Sequence, residues 1–183
     1  MAEKIKELDQ IMSLINGKHN FLLSGGAGSG KTYTLVHVIR AVIEQYPYCN
    51  IACITYTNAA ALEIQHRIER RNLSVTTIHD FLWDNIKLYQ KELRKAVIEL
   101  INDPNENKFK ITGVDSVPLD YYTSNEIVDI TYKEYLSLKD GIISHDQVLV
   151  VANYLFEHYS KIAEIVKSKY DYIFVDEYQD THK

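Results

Sequence analysis

Residues 20–43, NFLLSGGAGSGKTYTLVHVIRAVI, constrain the fold of this chain more than any other stretch. Phe21, Leu22 and Leu23 make a short apolar run of the kind that forms a buried strand. A glycine-rich loop follows, and then Leu35, Val36, Ile39, Val42 and Ile43 recur at helical spacing. Strand, loop and helix in this order are what a phosphate-binding loop requires. The pattern G-x-x-x-x-G-K-[ST] is met at Gly25, Gly30, Lys31 and Thr32. Glycines let backbone N–H groups turn inward around phosphate oxygens, and the helix amino terminus adds positive partial charge. Lys31 reaches the terminal phosphates, and Thr32 offers its hydroxyl to Mg²⁺. The candidate nucleotide-binding set is therefore Gly25, Gly26, Ala27, Gly28, Ser29, Gly30, Lys31, Thr32 and Tyr33. Gln10, near the end of an amino-terminal amphipathic helix, is either a contact to an adenine edge or a solvated helix residue.

A second strand, NIACITYT, leads into a helix on which Ala60, Ala61, Ile64 and Ile68 share a face, with Asn58 as its cap. Thr57 and Asn58 then lie at the carboxyl end of a strand, the side on which open α/β sheets bind ligands. A third strand, LSVTTI, runs into HDFLWDNI, which places His79 at a strand-to-helix junction. Beyond Asp84 the character changes. The run from Asn85 to Ile101 predicts one helix ended by Pro104, and FKITGV, VPLDYY and NEIVDITYKEYL predict short strands joined by turns. The tyrosines here are half-buried strand positions or a stacking surface for single-stranded bases. From Ser144 to Tyr170 a single helix is expected, with Val148, Val151, Leu155, Tyr159, Ile162 and Val166 on its apolar face and Ser144 or Asp146 as its cap.

The closing stretch, YIFVDEYQDTHK, sets Asp176 and Glu177 at the end of a strand. Opposite a phosphate loop, such a pair can order Mg²⁺ through its waters (Asp176) and polarise an attacking water (Glu177). That combination points to nucleotide hydrolysis.

Composition narrows the remaining classes. A chain of 183 residues, 46% hydrophobic and 25% charged, has the profile of a globular domain with a real core. Its net charge of −5 argues against a broad basic surface for nucleic acid, so any such contact is local. Cys49 and Cys53 have no partners at metal spacing and read as a reduced thiol pair. No apolar run approaches the length needed to span a bilayer and no signal peptide opens the chain, so the expected location is the cytoplasm.

The segments GGAGSGKT, ITYTNAAALEI, TTIHDF and IFVDEYQDT, in that order, resemble motifs I, Ia, Ib and II of the UvrD/Rep-like superfamily 1 DNA helicases. The resemblance implies an α/β fold: a RecA-like P-loop parallel sheet flanked by helices, incomplete at the carboxyl end, with a small mixed α/β insertion. The lobe would comprise 1–85 and 145–183, and the insertion 86–144. It further implies an ATP- and Mg²⁺-dependent motor on single-stranded DNA. In that motor Lys31, Asp176, Glu177 and Gln179 serve catalysis, Thr32 and Asp176 hold the metal, and Thr57, Asn58 and His79 face the DNA. Gln179 would link nucleotide state to DNA grip. Ala59 stands where the family commonly has lysine, which weakens the inference of a DNA contact at that turn.

A second RecA-like lobe and the strand that normally lies beside the motif II strand are missing from the sequence. The resemblance therefore implies very slow hydrolysis and no unwinding by these residues alone. It also implies that the phosphate-loop and motif II strands pair directly, that another segment fills the gap, or that a second copy pairs there. Two other classes remain open: a small P-loop NTPase or nucleotide kinase completed by a partner chain, and a binding module that has lost nucleotide dependence.

Overall fold

The computed structural model describes residues 2–24, 30–127 and 129–176. In chain order its elements are α1 (Ala2–Asn16), α2 (Lys31–Gln45), β1 (Ile51–Thr55), α3 (Asn58–Arg67), β2 (Leu73–Thr77), α4 (Ile78–Ile86) and α5 (Gln90–Asn102). There follow α6 (Tyr121–Ser124), β3 (Thr131–Tyr132), a 3₁₀ turn (Leu138–Asp140), β4 (Ile142–Ile143), α7 (His145–His158), α8 (Ser160–Lys169) and β5 (Tyr172–Val175). Two compact units form, 1–78 with 169–183, and 79–168. These limits differ from the 85/86 and 144/145 boundaries expected from sequence, because α4, α5 and α7 contribute to one shared apolar cluster.

The first unit is built on a parallel sheet of order β2-β1-β5. All five residues of β1 are buried, as befits a strand covered on both faces. Helix α1 inserts Ile11 and Ile15, α2 inserts Val36, Ile39, Val42 and Ile43, and α3 inserts Ala61 and Ile64 into the cluster that contains β1. The sequence reading of this α/β core holds, with two corrections. Phe21–Leu23 joins no strand, and Leu22 is 71% exposed. Its apolar character is that of a strand, but a strand needs a neighbour to satisfy its backbone groups, and the described residues supply none. The cap of α3 is Thr57, whose hydroxyl accepts from the Ala60 N–H at 3.2 Å; Asn58 is the first helical residue.

The second unit packs α4, α5, α7 and α8 around Leu93, Val97, Ile101, Val151 and Leu155. The helix expected from Asn85 to Ile101 is interrupted at Lys87–Tyr89, and the one expected from Ser144 to Tyr170 breaks at Tyr159. Apolar spacing continues across both breaks, so periodicity alone did not mark them. Ser144 caps α7 as expected, with its N–H and hydroxyl both donating to Gln147 Oε1, at 3.3 and 2.6 Å. The strands expected in the middle reduce to β3 and β4, two residues each. Here side chains enter the core singly, from loops (Phe109, Ile130), from α6 (Tyr122) and from the 3₁₀ segment (Leu138); all four are buried, and the Tyr122 hydroxyl donates to the Leu138 carbonyl at 2.7 Å.

His79, in the first turn of α4, lies 4.8 Å ring to ring from His145 at the start of α7. The Tyr132 hydroxyl is 3.0 Å from His145 Nδ1. Burial first, and then the neighbouring His145, hold His79 below the ordinary imidazole value of 6.5, while Asp80 and Asp146 pull the other way.

Two outcomes follow for stability. Leu155 is fully buried, so Leu155→Ala is expected to cost about 2–5 kcal/mol in urea unfolding, and a loss under about 1 kcal/mol would contradict the packing described. For His79 the unfolded chain takes up a proton at higher pH than the folded chain does. Its contribution is therefore intact above 6.5 and is lost as pH falls from there through the lower folded value. Unfolding midpoints between about pH 7 and 5 should fall less steeply in His79→Gln than in the parent, and identical slopes would show that burial at His79 has no such effect.

Candidate nucleotide site

Parallel strands bring their carboxyl ends to one edge of a sheet, and the candidate residues of the first unit gather there. Gly30 opens α2 with φ 82°, in the left-handed region where a residue without Cβ is unstrained. The Thr34 N–H donates to the Gly30 carbonyl at 2.9 Å, starting the helix. This turn sets Lys31 and Thr32 at the very beginning of α2.

Asp176 is the residue that follows β5. Its N–H donates to the Ile54 carbonyl at 2.8 Å, so the chain stays in register with β1 up to this point. The Asp176 side chain is only 6% exposed. A carboxylate so placed requires a donor, and the Thr32 hydroxyl donates to Asp176 Oδ2 at 3.2 Å across a sequence separation of 144 residues. In donating its proton, Thr32 keeps its oxygen lone pairs available to a cation. Lys31 and Asp176 also line the same groove. Below them, Cys53 on β1 is pushed up to about 12, chiefly by burial and secondarily by the charge of Asp176. Cys49 and Cys53 are both free thiols.

The other candidates are distributed more widely. Thr57 and Asn58 are exposed beyond the end of β1, and the turn is tied by buried Thr55, whose hydroxyl donates to the Thr57 carbonyl at 3.0 Å. Thr55 was missed in the sequence reading; its signal is a hydroxyl closing an otherwise apolar strand. Tyr33 is exposed on α2, with its ring 4.4 Å from that of His37. Gln10 is exposed on α1. His79 belongs to the second unit. Gly25, Gly26, Ala27, Gly28, Ser29, Glu177 and Gln179 lie outside the described residues. Among the described residues no helix is long and apolar enough to cross a membrane.

Comparison with known proteins agrees with this arrangement. The family model described as an AAA domain matches residues 9–183. Gabija protein GajB of Bacillus cereus (strain HuB5-5) is 26% identical over 98% of this chain and 39% of its own length. The ATP-dependent DNA helicase PcrA of Staphylococcus aureus (strain NCTC 8325 / PS 47) is 27% identical over 88% of this chain and 28% of its own length. The protein of the same name from Staphylococcus epidermidis (strain ATCC 35984) is 29% identical over the same shares. The chain thus spans between 28% and 39% of the length of these relatives. Matched by the family model over all but its first residues, with the threonine of the phosphate-loop helix against the motif II aspartate, the chain belongs to the AAA domain family and, within it, to the UvrD/Rep-like superfamily 1 helicases.

Proposed function

We propose that this chain is the ATP-binding portion of a motor that couples ATP hydrolysis to movement on single-stranded DNA. The observation that carries the reading is the contact between Thr32 and buried Asp176 beside Lys31. The donor set fits the group: a hydroxyl and a carboxylate are the hard oxygen ligands that Mg²⁺ takes, usually with several of its waters retained. Once bound, Mg-ATP supplies the phosphoanhydride and the cation that neutralises its charge.

The chain's own residues divide the remaining work. Lys31 holds the terminal phosphates as a point charge, and Thr32 donates an oxygen to the cation. Asp176 orders the cation's water shell. Glu177 orients the attacking water and accepts its proton, and Gln179 relays the nucleotide state towards the DNA. The glycine-rich stretch from Gly25 to Gly30 would supply backbone N–H groups to the phosphates, and Tyr33 and Gln10 would contact the rest of the nucleotide. Thr57, Asn58 and His79 make the local DNA contacts, consistent with a chain whose net charge of −5 offers no broad basic surface. Helicase activity is proposed for the whole protein, since related phosphoryl-transfer enzymes gain about 10³–10⁵ in turnover from an arginine finger and this chain spans only part of its relatives' length. The 183 residues by themselves should hydrolyse ATP slowly.

The test is titration with a fluorescent ATP analogue and Mg²⁺. Lys31→Ala is expected to weaken binding about 10- to 100-fold, the range for a lost hydrogen bond to a charged group. Asp176→Asn should instead reduce the difference between affinities measured with and without Mg²⁺. Binding that is indifferent to Lys31→Ala, or absent from the parent chain, would refute the reading.

A further inference from the structure

A separate depression opens at the other end of the sheet, before β1 and at the start of β5, away from Lys31, Thr32 and Asp176. It has a volume of about 430 Å³ and is lined by residues 45–49 together with Asp171 and Tyr172, all within the first unit. Its walls are fixed by contacts that need no ligand. The Tyr46 hydroxyl donates to Asn16 Oδ1 at 2.8 Å and accepts from Gln45 Nε2 at 3.3 Å. The Tyr46 ring stands 6.0 Å from the Tyr172 ring, and Tyr172 in turn stacks with Phe174 at 6.4 Å. Pro47 stiffens the turn that carries Tyr48. The Cys49 N–H closes that turn on the Tyr46 carbonyl at 3.1 Å, and Asn72 Nδ2 donates to the carbonyls of Pro47 and Cys49. Asp171 is held by the Asn50 N–H, which donates to its Oδ2 at 2.8 Å. Rings and carboxylate are thus set in place before anything binds.

Electrically these walls are one-sided. None of the lining residues is basic, and Asp171 carries a full negative charge. The depression lies at the carboxyl end of α2, where helix carbonyls concentrate negative partial charge. The last turn of α2 holds no basic side chain to offset it and contains Glu44 instead. The faces of the tyrosine rings are the negative poles of their quadrupoles. Burial first, and then Tyr46, Cys49 and Asp171, hold the Tyr172 hydroxyl above its ordinary value of 10. Burial and then Asp171 likewise raise the Cys49 thiol, so both groups stay neutral. Such walls repel an anion, and a purely apolar ligand makes no use of Asp171 or of the helix end.

A cation with flat, weakly hydrated faces uses all of these features at once. An ammonium is compact and strongly hydrated, whereas a guanidinium stacks on aromatic rings and forks onto a carboxylate. Asp171 has lone pairs for such a fork beyond the one that the Asn50 N–H engages. The site is also shallow, since Tyr48 is 96% exposed. Small molecules favour clefts that enclose them, and a shallow site of this kind suits a head group whose remainder is held by a larger surface. We propose that Tyr46, Tyr48, Asp171 and Tyr172 form a binding site for a guanidinium group, presented by an arginine side chain of a partner polypeptide. This proposal does not rest on the nucleotide reading, and it holds or fails without ATP.

The test is a ¹H–¹⁵N NMR titration of the 183-residue chain with acetyl-Gly-Arg-Gly amide, with the same peptide carrying lysine, and with agmatine as a free guanidinium compound. The arginine peptide should shift the amide signals of Tyr46, Tyr48, Asn50 and Tyr172 saturably, with a dissociation constant of about 1–10 mM. The lysine peptide should bind at least about fivefold more weakly. Tyr48→Ala should weaken arginine binding about two- to fivefold, the range for one exposed cation–π contact. Asp171→Asn should weaken it by about two- to fivefold as well. Neither change threatens the fold, because Tyr48 is exposed and asparagine keeps an acceptor for the Asn50 N–H. No saturable shift at about 50 mM peptide, equal affinity for the arginine and lysine peptides, or indifference to both variants overturns the proposal. Agmatine binding more tightly than the arginine peptide overturns the polypeptide source and makes a free small cation the ligand.

Discussion

Everything in the first unit depends on β1. Its five residues are buried, and both of its edges carry partners in parallel register, β2 on one side and β5 on the other. A strand with both faces covered can consist of nothing but apolar and small residues, and Ile51, Ala52, Cys53 and Ile54 satisfy that constraint. The polar chemistry is then confined to where β1 ends. Thr55 turns its hydroxyl into the following loop, and the Ile54 carbonyl holds the N–H of Asp176. The register of a buried strand thus fixes the position of a carboxylate contributed by the far end of the chain.

Burial of that carboxylate has consequences of its own. A charge removed from water is tolerated where donors replace the water, and Thr32 is one such donor. The residue that begins α2 and the residue that ends β5 are therefore mutually dependent. Without Thr32 the buried Asp176 loses a donor, and without Asp176 the Thr32 hydroxyl loses its fixed orientation. A hydroxyl and a carboxylate held together in this way are both hard oxygen donors.

How much of this was legible in the sequence varies with the range of the interactions concerned. The helix Lys31–Gln45 and the strands Ile51–Thr55 and Leu73–Thr77 were readable because apolar spacing is a local record of burial. The meeting of Thr32 with Asp176 was readable through motif chemistry, since the motif reading expected both residues at one cation and so expected them side by side. Phe21–Leu23 was not, because whether an apolar triplet becomes a strand is decided by a neighbour far away in sequence. The breaks at Lys87–Tyr89 and Tyr159 also escaped notice, since Leu93 and Ile162 remain in phase with the cores that precede them. In the middle of the chain, Tyr122 and Leu138 show why alternation misled: a buried tyrosine whose hydroxyl reaches a turn carbonyl needs no strand to hold it.

The open edge of β5 bears on the site through geometry. Asp176 is held on the β1 side by one backbone hydrogen bond from its own N–H, and among the described residues no strand pairs with the other edge of β5. A strand bonded along one edge can shift its carboxyl end more readily than one bonded along two, and phosphoryl-transfer chemistry tolerates little displacement of the groups that hold the metal. The register of β5 on β1 therefore decides where the Asp176 carboxylate stands relative to Thr32. Lys31 lines the groove beside the same strand.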